Sequence, residues 1–105
     1  MIAGAGPAGL TAAIYLARAC YRVLVVEKEK IGGQITITEE VVNYPGIEKT
    51  DGKSLTAAMY RQAKNFGAEF LMAGVEKLDV DGEYKIVHTN KGDFSCYGIL
   101  LLSCY

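Results

Sequence analysis

Gly4-Ala5-Gly6-Pro7-Ala8-Gly9, almost at the amino terminus of a 105-residue chain, completes a G-x-G-x-x-G pattern. A turn of this kind lets a strand pass into a helix while its backbone touches a pyrophosphate. Gly4 supplies the tight turn, Gly6 removes a Cβ that would block a phosphate, and Gly9 lets the helix lie close to the sheet. Pro7 belongs in the first helical turn, where its missing N–H costs nothing. The amides of that turn point at an anion, and the helix dipole favours its charge. Gly4, Ala5, Gly6, Pro7, Ala8 and Gly9 together form the candidate pyrophosphate cradle.

Glycine-rich turns also arise for packing alone, so the flanking sequence decides. Beyond Gly9, Leu10, Ala13, Ile14 and Ala17 recur at helical spacing, and the small residues on that face predict a helix packed close against a sheet. Residues 22–27 read as a buried parallel strand, apolar until it ends in Glu27. Glu27 lies at the distance from the turn at which an acid hydrogen-bonds the ribose of an adenosine. Strand, glycine turn, helix, strand and acid, in that order, predict a dinucleotide site.

Further along, residues 28–52 form a long connection holding Gly32-Gly33-Gln34 and Asn43-Tyr44-Pro45-Gly46, with a short extended segment expected at 35–38. Long loops inside a domain are usually functional or disordered. A second helix is predicted over 54–66, with Leu55, Ala58, Met59, Ala63 and Phe66 as its core-facing stripe and Gly67 as its C-terminal cap. Residues 69–72 complete a βαβαβ unit. Then 75–80, 83–89 and 93–97, separated by Asp81-Gly82 and Asn90-Lys91-Gly92, read as an antiparallel three-stranded meander. A buried strand over 98–102 is expected to rejoin the parallel sheet. The fold class is therefore α/β: a Rossmann-like βαβαβ parallel sheet of the dinucleotide-binding type with an inserted antiparallel meander at about 75–97.

Composition narrows the function classes. Half of the residues are hydrophobic and the formal net charge is −1, as in an ordinary soluble domain. With no basic stripe, nucleic acid is not an expected partner. Apolar runs such as 99–102 are far too short to cross a membrane, and Met1 falls inside the first strand, so neither a span nor a leader is expected. Three widely spaced cysteines, Cys20, Cys96 and Cys104, read as reduced thiols of a cytoplasmic protein. The single histidine, His88, reads as a structural or surface residue rather than a metal ligand or catalytic base, with no partner cluster in the sequence.

The segments GAGPAGLTAAIYLARA at 4–19, VLVVEK at 23–28, GGQITITEEVVNYPGI at 32–47, DGKSL at 51–55, KNFGAEF at 64–70 and VEKLDV at 75–80 resemble the flavin-binding part of low-molecular-weight thioredoxin reductases. These are FAD-dependent pyridine nucleotide-disulfide oxidoreductases, and the resemblance covers nearly the whole chain. GGQ and NYPG at this spacing are the specific elements. The resemblance implies FAD rather than free NAD. It places the pyrophosphate on Gly4 to Gly9 and the adenosine ribose on Glu27, with Lys28 flanking the adenosine. The flavin end falls to Gly32, Gly33 and Gln34, with a side-chain contact from Asn43, and the adenine to the backbone of Val75. Without it, Gly32-Gly33 and Asn43-Tyr44-Pro45-Gly46 read as plain turns and Lys28 as part of a solvated loop.

The family passes electrons from NADPH through FAD to a C-x-x-C disulfide and on to thioredoxin. This sequence has no C-x-x-C and no second glycine fingerprint, so it offers no catalytic residue. Only Met1-Ile2-Ala3 precede Gly4, and Leu102-Ser103-Cys104-Tyr105 stand where the family continues into another flavin-contacting turn. The expectation is a truncated or frameshifted part of a longer reductase: one partial FAD-binding domain over 1–105, inactive alone. Two alternatives stay open. One is a fragment of a thioredoxin reductase-like ferredoxin–NADP reductase. The other is a non-catalytic fragment that self-associates through an exposed sheet edge.

Overall fold

A computed structural model describes residues 1–28, 31–32 and 40–101. The expected extended segment at 35–38 and the chain end after 101 lie outside the described residues. Along the chain run β1 (Ile2–Ala3), α1 (Pro7–Arg18), β2 (Leu24–Glu27), α2 (Gly52–Asn65), β3 (Glu69–Met72), β4 (Val75–Asp81), β5 (Tyr84–Thr89), β6 (Gly92–Cys96) and β7 (Leu100–Leu101). β3, β2, β1 and β7, in that spatial order, make a parallel sheet, and β4, β5 and β6 make a separate antiparallel one.

Register assigns the faces. Ile2 pairs with Val25 and with Leu100, and Val25 pairs with Phe70, so these four share one face of the parallel sheet. The β1–α1–β2 and β2–α2–β3 crossovers step across the sheet in the same direction, so right-handed connections bring both helices to that face. The core there joins Ile2, Ala5, Val23 and Val25 to Ala13 and Ala17 of α1 and Ala63 of α2. Alanines at these contacts let the helices approach closely. A second cluster, Leu10, Val41, Leu55 and Met59, ties both helices to the loop before α2.

The second helix begins two residues earlier than the pattern indicated. Asp51 is its N-cap: its carboxylate accepts from the Ser54 amide and hydroxyl, each at 2.8 Å. Both bonds hold the Asp51 carboxyl below its ordinary range. Two residues of the predicted stripe are not core. Ala58 is exposed, and Phe66, at the C-cap beyond the last helical turn, is 44 % exposed. The buried stripe instead runs through Gly52, Leu55, Thr56, Met59 and Ala63. Thr56 tolerates burial because its hydroxyl donates to the Gly52 carbonyl at 2.8 Å.

Both helices end in a Schellman motif. After α2, Gly67 at φ 103° carries the left-handed position, its N–H donating to Lys64 and that of Ala68 to Ala63. After α1 the bonds are the same, from Cys20 to Ala17 and from Tyr21 to Leu16, but the left-handed residue is Cys20 at φ 68°. A side chain there costs about 1–2 kcal/mol, of which glycine's extra chain entropy takes back about 0.5–1 kcal/mol. Cys20→Gly is therefore expected to raise stability by about 0.5–1 kcal/mol, read as a Tm a few degrees higher, while Cys20→Ala leaves it unchanged. A lower Tm for the glycine variant would count against this cap.

β7 departs from expectation. It does rejoin the parallel sheet beside β1, but Leu100 is 41 % and Leu101 62 % exposed, because β7 is the edge strand.

His88 is structural, yet it is not alone. Its Nε2 lies 2.8 Å from Asp79 Oδ2 and its Nδ1 2.9 Å from Asp93 Oδ1, so one imidazole bridges all three meander strands. Lys77 Nζ adds a contact of 3.5 Å to the same Asp79 oxygen. The hydrogen bonds to Asp79 and then Asp93 raise the His88 pKa, and the bond from His88 lowers that of Asp79. A raised imidazole contributes stability below its ordinary value of 6.5 and loses it as pH climbs through the folded value. A lowered carboxyl contributes above its ordinary value of 3.8 and loses it as pH falls through the folded one. Protection factors of the β4–β6 amides, exchange corrected for the intrinsic rate at each pH, are accordingly expected to be highest between these limits and to fall on both sides, and His88→Gln to flatten the alkaline side. A profile unchanged in His88→Gln would refute the strap.

Candidate functional site

The first glycine turn sits where β1 ends. Gly4, at φ 119°, donates its N–H to the Val26 carbonyl at 2.9 Å, locking the turn to the neighbouring strand. Gly6 is the N-cap of α1 with extended backbone, and Pro7 takes the first helical position. The first i→i+4 bond runs from the Leu10 amide to the Gly6 carbonyl at 2.9 Å. Amides before Leu10 precede any intrahelical acceptor and face outward from the helix start.

The glycines divide as the fingerprint requires. At Gly9 a Cβ would overlap the Gly4 carbonyl group and come within 3.6 Å of Ile2 Cγ2. At Gly6 a Cβ would meet nothing within 4 Å. Gly9 is closed by the protein's own backbone, whereas Gly6 opens onto space in front of the helix start. That open cradle fits a phosphate chain.

Ala5, fully buried between these glycines, is the hub. Its N–H donates to Glu27 Oε2 at 2.7 Å, and its carbonyl accepts from the Gly32 amide at 2.6 Å. Glu27, 22 positions further along the chain, and Gly32, 27 positions further along, thus meet at one residue. Gly32 is buried at φ 103°, a conformation that suits glycine. On the far side, the Glu27 carbonyl accepts from the Ala73 amide at 2.9 Å. A Cβ on Gly74 would stand 3.8 Å from Lys28 Cβ, so the start of β4, with Val75, abuts the end of β2.

Gly4 to Gly9, Glu27, Lys28, Gly32 and Val75 therefore gather at the carboxyl ends of β1, β2 and β3. In open α/β sheets ligands bind outside that edge. Asn43 stands exposed on the loop pinned by the Val41–Thr50 bridge, and no hydrogen bond joins its side chain to the turn. Gly33 and Gln34 lie outside the described residues. Sequence reasoning missed the hub role of Ala5, and it missed Asn90, whose carboxamide accepts from the Gly74 amide at 2.7 Å. Asn90 carried only a turn signal, and no local pattern reveals a partner 16 residues away.

A separate groove of about 400 Å³ runs between the helices, lined in part by Thr11, Ile14, Arg18, Met59 and Phe66, and includes none of these site residues. Among the described residues no group of acidic, histidine and cysteine side chains is arranged to hold a metal ion, and no helix is long and apolar enough to cross a membrane.

The family model described as pyridine nucleotide-disulphide oxidoreductase matches residues 1–100. The thioredoxin reductase of Peptoclostridium acidaminophilum is 44 % identical over 101 residues, covering 95 % of this chain and 32 % of the relative. That of Bacillus subtilis (strain 168) is 40 % identical over 102 residues, covering 96 % and 32 %. The crystal structure of Lactococcus lactis thioredoxin reductase superposes with a TM-score of 0.90 at 36 % identity, over 95 % of this chain and 33 % of that one. The chain thus spans about a third of the length of the curated relatives it matches. The resemblance read from the sequence and the α/β fold class both hold.

Proposed function

The chain belongs to the pyridine nucleotide-disulphide oxidoreductase family, and from that premise we propose that it is the FAD-binding segment of a thioredoxin reductase-like flavoenzyme. One observation carries the reading: Glu27 and Gly32 are both tied to Ala5 beside a glycine turn that is open at Gly6. The pyrophosphate lies across Gly4 to Gly9, Glu27 takes the ribose, and Lys28 and Val75 border the adenine. Gly32, Gly33 and Gln34 meet the flavin, with Asn43 contributing its carboxamide. Residues 1–105 act as one FAD-binding unit into which the meander of about 75–97 is inserted.

When bound, the flavin supplies two-electron chemistry between a nicotinamide and a disulfide. This chain's part is to bind and orient it. Reduction of FAD by NADPH, transfer to a disulfide and delivery to thioredoxin belong to the complete enzyme. Alone, this chain binds flavin weakly and turns nothing over, since its sequence holds no C-x-x-C. The unpaired thiols of Cys20 and Cys96 support a cytoplasmic setting.

The test is titration of the chain with FAD, followed by flavin fluorescence, with NADH as competitor. Saturable FAD binding that NADH does not displace is expected; absence of FAD binding would overturn the reading. A second reading, self-association, is favoured by Leu100 and Leu101 exposed on edge strand β7. A sedimentation coefficient that rises with concentration, and stops rising in Leu101→Lys, would establish it.

A further inference from the structure

We propose that Asn90 is a positioning residue for the adenine end of the dinucleotide site, acting through the Gly74 peptide. The inference rests on the FAD reading above. Asn90 grips Gly74 twice: its Oδ1 accepts from the Gly74 N–H at 2.7 Å, and its own N–H donates to the Gly74 carbonyl at 3.2 Å. Gly74 is the joint between Ala73, whose amide is bonded to the Glu27 carbonyl, and Val75, the first residue of β4. The grip thus anchors the corner where the chain leaves the parallel sheet for the meander, next to Lys28.

Asparagine is common in turns because it tolerates left-handed backbone and closes local hydrogen bonds. Neither reason applies here. Among the described residues Cys20 is the only non-glycine with positive φ, so Asn90 is not needed for a left-handed position. The β5–β6 hairpin is closed by Thr89, whose hydroxyl donates to the Gly92 carbonyl at 2.7 Å and accepts from the Lys91 amide at 3.1 Å. The Asn90 carboxamide therefore serves Gly74 rather than its own turn. It carries the order of the antiparallel sheet to the edge of the nucleotide cleft.

ADP, which carries the adenine and the pyrophosphate without the flavin, is the probe, followed by amide NMR on the full chain. In Asn90→Ala the ADP dissociation constant is expected to rise about fivefold or more, the worth of one lost hydrogen bond. Shifts at Gly6 and Ala8 on saturation should persist while those at Gly74 and Val75 fade. Asn90→Asp keeps an acceptor oxygen and is expected to bind within about twofold of the unchanged chain. Should Asn90→Ala not fold, Asn90→Ser, with an oxygen too short to reach Gly74, carries the same comparison. Unchanged ADP affinity in Asn90→Ala or Asn90→Ser, or an Asn90→Asp variant as weak as Asn90→Ala, overturns the inference and leaves the FAD reading standing. Absence of ADP binding by the unchanged chain overturns the inference together with the adenosine part of that reading.

Discussion

Gly9→Ala is expected to destabilise the chain by about 3 kcal/mol, on the order of 15 °C in Tm. The sign is the informative part. In an ordinary helix interior this substitution is stabilising by about 1 kcal/mol, because alanine is the better helix former. Here the added Cβ would overlap the Gly4 carbonyl, which is backbone and cannot rotate away. Gly4 cannot retreat cheaply either, since its amide is bonded to Val26 and Ala5, next in the chain, is held by Glu27 and Gly32. The helix start would have to lift off the sheet, opening the core around Leu10 and Ala13. Thermal unfolding followed by circular dichroism at 222 nm checks this. A Tm equal to or above that of the unchanged chain would show that the turn yields, and that Gly9 is not a packing glycine.

Gly6→Val should do the reverse: little to the fold and much to the site. Gly6 has φ −76° and ψ −175°, extended backbone that a β-branched residue adopts readily, and a Cβ there has no protein neighbour within 4 Å. The stability cost is confined to a poorer N-cap, about 1 kcal/mol or less. The isopropyl group would stand in the space assigned to the pyrophosphate and shield the helix-start amides. Loss of FAD or ADP affinity of about a hundredfold or more is expected, the equivalent of roughly 3 kcal/mol. Retained affinity in a well-folded Gly6→Val chain would move the phosphates elsewhere. Gly6 and Gly9, three positions apart in one motif, thus answer to different forces.

The order of elements was legible because each carried a local period or a local punctuation mark. Small and apolar residues at 10, 13 and 17 wrote α1, continuous apolar sequence ending in Glu27 wrote β2, and Asp81-Gly82 and Asn90-Lys91-Gly92 marked the meander turns. Boundaries were less legible where a cap decided them. Asp51 starts α2 through a side-chain bond that hydrophobic spacing does not register, and Phe66 sits past the last turn, so its period no longer implies burial.

From its sequence alone the chain had an α/β dinucleotide fold and a glycine turn with an acid beyond its second strand, since each follows from the conformational limits of residues near one another in the chain. Tertiary structure decided the rest. It made Ala5 the common partner of Glu27 and Gly32, turned Asn90 toward Gly74, and bracketed His88 between Asp79 and Asp93. It also left Leu100 and Leu101 on an exposed edge. All of these depend on which strand lies beside which and in what register. That is settled only when burial and hydrogen bonding are satisfied across the whole molecule at once.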